Sequence, residues 1–182
     1  MARNSWQIDP EHTVVEFAVK HMMISTVKGR FGGVSGTIEL DDDDVSRSSV
    51  AVDIDAASVD TRVEQRDAHL RSADFFDVEN HPTITFRSRR VERTDDDGLR
   101  VIGDLTIRDV TREVVLDATE LGRAKDPWGG ERAGFEARTT ISRDEFGLTW
   151  NTALEAGGVL VGPTVKISLE VQAVKAEPVE AA

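Results

Sequence analysis

Apolar and polar residues alternate with a period of two through most of the chain, and no other feature narrows its fold as much. Successive side chains of an extended strand point to opposite faces, so this period marks strands with one buried face. In TVVEFAVKH, Val15, Phe17, Val19 and His21 share one face, and Val14, Glu16, Ala18 and Lys20 the other. GTIEL sets Ile38 and Leu40 against Glu39, and VAVDI sets Val50, Val52 and Ile54 against Asp53. Ile84 and Phe86 oppose Arg87, while Val101, Gly103, Leu105 and Ile107 oppose Arg100, Asp104 and Arg108. Val114 and Leu116 follow in EVVLDA, then Phe135, Ala137, Thr139 and Ile141 in FEARTTI, then Val165, Ile167, Leu169 and Val171 in TVKISLEV. Some eight amphipathic strands of this kind predict an all-β barrel or sandwich.

Turn chemistry makes neighbouring strands antiparallel. Asp97-Gly98 and the run DPWGG (126–130) supply the residues that tight hairpins use. The acidic runs DDDD (41–44) and DDD (95–97) lack the alternating ligand spacing of a calcium loop and read as solvated turns. GRFGGVSG (29–36) has glycines but no following helix and no Lys-Ser/Thr pair, so hairpin and bulge geometry accounts for it better than a phosphate loop.

A length of 182 residues fits one domain, expected over 1–174, with KAEPVEAA (175–182) as a flexible tail. Cysteine is absent, which excludes disulfides, a thiolate nucleophile and a thiolate zinc site. The net charge of -12 opposes binding to nucleic acid phosphates and to anionic lipid headgroups. The start, MARNSWQIDPEH, lacks the pattern of a secretory leader, and no segment approaches the roughly 18 apolar residues of a membrane span. The expectation is a soluble, cytoplasmic protein.

One stretch breaks the period. From about 62 to 72 good helix formers run without Gly or Pro, which predicts a short helix between strands. Phe75-Phe76 follow, two rings that a solvated hairpin would not carry, and are expected to pack over an open end of the barrel; His81-Pro82 ends the segment. A metal reading would use His69 and His81 with Asp67 or Asp74, but no spacing here holds two ligands on one helical face. An acid/base reading meets the same difficulty, because Asp67 and His69 are two residues apart and point away from each other on a helix. The plainer reading has Asp74 and Asp77 bonding local backbone, Arg66 and Asp67 pairing with strand-end groups, and His69 satisfied or facing solvent. No catalytic residue and no metal ligand is expected.

The motifs WQID--H (6–12), F-V-H (17–21), KGRF-G--G-I--D (28–41), T----RD-HLRS-DFFD----P-I-F-S (61–88), G-LTI--VT (103–111) and R--FGLTWN--LEAGGVLVG--V-I (143–167) resemble the YceI family of polyisoprenoid-binding proteins. The resemblance spans residues 6 to about 173, and the block 61–88 is its most specific part. DVT (109–111) stands where the family often has GVT. The resemblance implies a lipocalin-like antiparallel eight-stranded barrel with the short helix near one end. It also implies a mainly apolar interior that binds, stores or transports a long-chain isoprenoid lipid, a polyprenyl compound or an isoprenoid quinone, without catalysis and without another cofactor. Members are commonly secreted to the periplasm, and the start of this chain departs from that pattern.

Eight strands is the size at which a barrel either fills with side chains or holds one slender ligand, and the period alone leaves both readings open. For a hollow barrel the candidate lining residues are Val15, Phe17, Val19, His21, Phe31, Ile38, Val52, Ile54, Leu70, Phe75, Phe76, Ile84, Phe86, Leu105, Ile107, Leu116, Ile141, Phe146, Trp150, Leu160, Ile167 and Leu169. The helix and the Phe pair would close one mouth, and the loop 146–162 another part. The alternative is an enzyme acting on a lipid held in the barrel, with His21, Asp67 or His69 as acid/base. Expected partners are the lipid, no nucleic acid and no stable membrane insertion; a homodimer is compatible with the sequence.

Overall fold

The computed structural model describes residues 3–95, 97–152, 154 and 158–176. Its elements are β1 (Arg3–Ile8), β2 (Val14–His21), β3 (Ser25–Phe31), β4 (Val34–Asp41), β5 (Ser49–Asp55), β6 (Val59–Asp60), α1 (Glu64–Arg71), β7 (Thr83–Arg93), β8 (Gly98–Ile107), β9 (Val110–Lys125), β10 (Glu131–Ser142) and β11 (Val161–Lys175). The sheet runs β1-β4-β5-β7-β8-β9-β10-β11, and β11 pairs back with β1, so these eight strands close an antiparallel barrel. This is the eight-stranded barrel with one short helix that the sequence implied.

Membership of the ring differs from the sequence reading in one respect. β2, which alternates cleanly, lies outside the closed ring of eight, and β1, which does not, lies inside it. β11 is long enough to serve both. Its end pairs with β1 from Ala173 to Lys175, and its first two thirds pair with β2 from Val161 to Glu170. β3 then adds to β2, and the two-residue β6 to β3. β3 and β6 escaped the sequence reading because one carries a glycine in its middle and the other is too short to show a period.

The two ends of the barrel are therefore built differently. Around β1 the interior is solid: Trp6 is 1% exposed and pairs with Ile38, and Ile38, Leu40, Val91, Leu99, Val101, Ala133 and Ala173 belong with it to the buried core. Arg123 lies over the Trp6 ring at 5.4 Å and is held by Asp42 and Glu120. Around β2 and β3 the aromatic side chains need room that only glycine leaves. A Cβ on Gly29 would stand 2.4 Å from the Phe17 ring, and one on Gly103 would stand 2.7 Å from the Phe86 ring.

The turns follow local chemistry. In DPWGG the Asp126 N–H donates to the Gly130 carbonyl at 2.8 Å. In DDDD the Asp41 carboxylate accepts the N–H groups of Asp43 and Asp44. Asp96, within DDD, lies outside the described residues, as do 153 and 155–157 of the loop 146–162. α1 is shorter than 62–72 because Arg62 takes a positive φ of 68° and Ser72 is already extended. Strand β11 continues past the expected boundary at 174: Lys175 pairs with Trp6, and the Ala176 N–H donates to the Ser5 carbonyl at 2.8 Å. The rest of the expected tail, 177–182, lies outside the described residues. Among those residues, no helix is long and apolar enough to cross a membrane.

Candidate functional site

Where β2 and β3 replace β1, the barrel holds a cavity of about 210 Å³. Nearly every strand contributes to its wall: Val15, Phe17 and Val19 from β2, Val27 and Phe31 from β3, Val52 and Ile54 from β5, Ile84 and Phe86 from β7, Leu105 and Ile107 from β8. Val114 and Leu116 of β9, Thr139 and Ile141 of β10, and Val161, Val165, Ile167 and Leu169 of β11 complete it. Phe17, Val19, Val165, Ile167 and Leu169 point inward by register and yet are only half-buried. A solid core would have covered them. His21 and Val161, directly opposite each other, stand with Lys20 at the rim.

The roof is the stretch that broke the period. Phe75 and Phe76 both line the cavity. Phe76 meets Phe31 edge-on at 5.5 Å, and Phe31 meets Phe17 at 5.6 Å, so the roof is joined to the wall by an aromatic chain. Outside Phe75, the Trp150 ring lies at 5.6 Å with His69 against both, 5.1 Å from Phe75 and 4.6 Å from Trp150. The main chain supports this arrangement: the Phe76 N–H donates to the Leu70 carbonyl and the Val78 N–H to that of Arg71.

The acids and histidines of this stretch hold the roof in place. The buried Asp67 carboxylate accepts from both the N–H and the hydroxyl of Thr61, while Arg66 donates to the Thr61 hydroxyl and carbonyl, each at 2.8 Å. These are strand-end contacts, since Thr61 follows β6. Asp74 and Asp77 depart from the expected backbone bonding: Asp74 bonds His69 at 2.9 Å, and Asp77 accepts from the Asn80 amide at 3.1 Å. Of the three residues of the enzyme alternative, only His21 lines the cavity; Asp67 bonds Thr61, and His69 bonds Asp74. No group of three or more metal-ligating side chains occurs among the described residues.

Four of the candidate lining residues lie outside the cavity wall. Ile38 sits in the filled half, across from Trp6. Phe146 is buried in the 3-10 turn Arg143–Phe146, Trp150 covers the roof from outside, and the Leu160 carbonyl accepts the Met22 N–H at the rim. A period of two assigns a face but not a depth along the barrel, and it says nothing of residues in loops.

Among the wall residues absent from that candidate set, Arg143 stands in the motif R--FGLTWN that carries the resemblance, but the period of two assigned it to no face. It is buried, and its guanidinium donates to the carbonyls of Gly162, Leu148, Trp150 and Val161. Burial pulls its pKa below the ordinary arginine value. Asn151 adds a second clasp, donating to the Val161 carbonyl and accepting its N–H. The loop beside the mouth is thus tied to the start of β11.

Comparison with known proteins places this geometry in a group. Residues 6–173 match the YceI-like domain. A UPF0312 protein of Serratia proteamaculans is 42% identical over 139 residues, which cover 76% of this chain and 72% of that one. The crystal structure of the Campylobacter jejuni YceI protein shares 34% identity with a TM-score of 0.74, covering 87% of this chain and 90% of that one. A polyisoprenoid binding domain from Saccharophagus degradans, implicated in plant cell wall breakdown, has the same fold at 15% identity, with a TM-score of 0.70 over 96% of this chain and 100% of that one. A domain match across almost the whole barrel, cavity wall and roof included, means that this chain belongs to the YceI-like family.

Proposed function

We propose that the protein binds a long-chain isoprenoid lipid, a polyprenyl compound or an isoprenoid quinone, by its tail in the open half of the barrel, and stores or carries it chemically unchanged. The observation that carries this reading is the wall: Val, Ile, Leu and Phe converge from nearly every strand, and its charged groups stand at the rim or are bonded to neighbouring groups. Moving an isoprene tail from water to such a surface gains roughly 0.8 kcal/mol per buried CH₂. A long tail would pass the affinity ceiling of about 18–21 kcal/mol if these gains simply summed, so ordering costs offset much of them. The family match and the polyisoprenoid binding domain of the same fold support the ligand class.

The size of the cavity bears on the pose. About 210 Å³ is below the roughly 300–1,000 Å³ of pockets that bury most of a drug-sized ligand, so part of a long chain is enclosed and the headgroup stays at the mouth. Asp67 is engaged by Thr61 and His69 by Asp74, and neither lines the cavity, which favours binding over acid/base chemistry.

Native mass spectrometry of the purified protein, followed by solvent extraction, tests the reading. The expected result is an apolar isoprenoid released with its mass intact, and uptake of a polyprenyl alcohol by protein stripped of it. Protein that is ligand-free and refuses the alcohol, or that releases a chemically altered product, would overturn it.

A further inference from the structure

The turn between β2 and β3 is the least expected piece of surface on this molecule. Its residues are Met22, Met23 and Ile24, which are 43%, 65% and 81% exposed. Hairpin turns favour Gly, Asn, Asp and Ser, yet here two methionines take left-handed backbone, with φ of 53° and 61°. The partly exposed Val159 extends the patch, and Met23 packs beside Gly158.

Position gives the tip its meaning. The last pair of the hairpin is His21 with Ser25, and His21 also pairs with Val161; His21 and Val161 line the cavity mouth. The apolar tip therefore projects from the rim itself. Charge points the same way. The chain has only five lysines, and three of them, Lys20, Lys28 and Lys166, are exposed on the outer face of this hairpin and its neighbour. Register puts Lys28 and Lys166 on either side of Ala18, and Lys20 one pair nearer the tip, bonded to Thr26. Neither Lys28 nor Lys166 has an ion-pair partner among the described residues. Screening confines electrostatics to about 10 Å at ordinary ionic strength, so this local positive strip acts independently of the net charge of -12.

We infer that the β2–β3 hairpin docks the mouth of the barrel onto an anionic lipid bilayer, with Met22, Met23 and Ile24 in the headgroup region and Lys28 and Lys166 on the lipid phosphates. Apolar residues beside basic ones are what a reversible interfacial contact requires. The inference rests on the proposed isoprenoid binding for its purpose, since a water-insoluble tail must pass from a membrane into the cavity without crossing solvent. Its geometry stands apart from that reading.

Flotation with vesicles of phosphatidylcholine, alone or with phosphatidylglycerol, tests it on the full chain. The wild type should float with the anionic vesicles, less so in high salt, and the double variant Met23→Ser, Ile24→Ser should bind at least tenfold less with an unchanged circular dichroism spectrum. Lys28→Glu with Lys166→Glu should abolish the preference for phosphatidylglycerol. Trp128→Ser, which alters an 84% exposed ring on the hairpin at the opposite end, should change nothing. Failure of the wild type to float, or equal flotation of the hairpin variant, would overturn the inference. So would a dimer in sedimentation equilibrium that the hairpin variant dissociates, because the tip would then belong to a second copy.

Uptake of a polyprenyl alcohol from detergent micelles separates the two proposals. The hairpin variant should take it up as the wild type does, which supports docking as a separate step. Wild-type flotation without uptake would overturn the isoprenoid reading and leave docking standing.

Discussion

Leu169 shows how much one inward-facing residue can report. It lies across from Ala137 and Val15 on the cavity wall and is only half-buried. A larger side chain there has empty space to enter. Leu169→Phe is expected to shorten the longest polyprenyl chain accepted while the melting temperature stays near that of the wild type. In a filled core the same change would be overpacking and would cost typically 1–3 kcal/mol. Uptake of short and long polyprenyl alcohols, measured beside a melting curve, decides between these outcomes. A lower melting temperature with unchanged length preference would make the position core and remove Leu169 from the proposed binding surface.

α1 is an element that cannot stand by itself. Eight residues fall short of the roughly 12–15 that an isolated helix needs, and its N-cap, Val63, makes no capping bond. What fixes it is the set of bonds from Asp67 and Arg66 to Thr61, together with the ring contacts beneath the roof. Asp67→Ala leaves the Thr61 N–H and hydroxyl without their acceptor and is expected to cost about 1–3 kcal/mol. The loss should be local. Hydrogen exchange ought to accelerate across residues 64–78 and remain slow in β7 to β9, and equal acceleration everywhere would refute the view of α1 and the Phe pair as a separately held roof.

For the whole molecule, the two ends of the barrel should respond differently to acid. Asp9 is held below the usual carboxylate range by Arg132 and then by His12; Asp42 is held there by Arg123. Asp126 is lowered by the Gly130 N–H and by Arg132. All three serve the filled end. A carboxylate lowered in the folded state stabilises above its unfolded pKa of about 3.9, and that stability is lost as pH falls through the folded value. Thermal stability is therefore expected to hold down to about pH 4 and to fall below it. Asp9→Asn and Asp42→Asn should reduce that fall, and an unchanged acid profile in both variants would show that other groups govern it.

At this scale the division between sequence and tertiary structure is plain. The alternating faces of β2, β5, β7, β8 and β11 were legible because a strand's period is local, and the helix was legible because its residues broke that period. Phe75 and Phe76 stood out as a roof for the same local reason. What the alternation could not carry was depth: Ile38 and Ile84 have the same pattern, yet one packs on Trp6 in the filled half and the other lines the cavity. Arg143, a charged residue in a loop, became part of the wall only because the fold brought four carbonyls around it. The sequence by itself determined antiparallel strands with one apolar face, in a barrel or a sandwich, and its family resemblance implied the barrel. Only the tertiary structure decided that half of it is hollow, because β11 exchanges β1 for β2 along its length and the Trp6 plug reaches just one end.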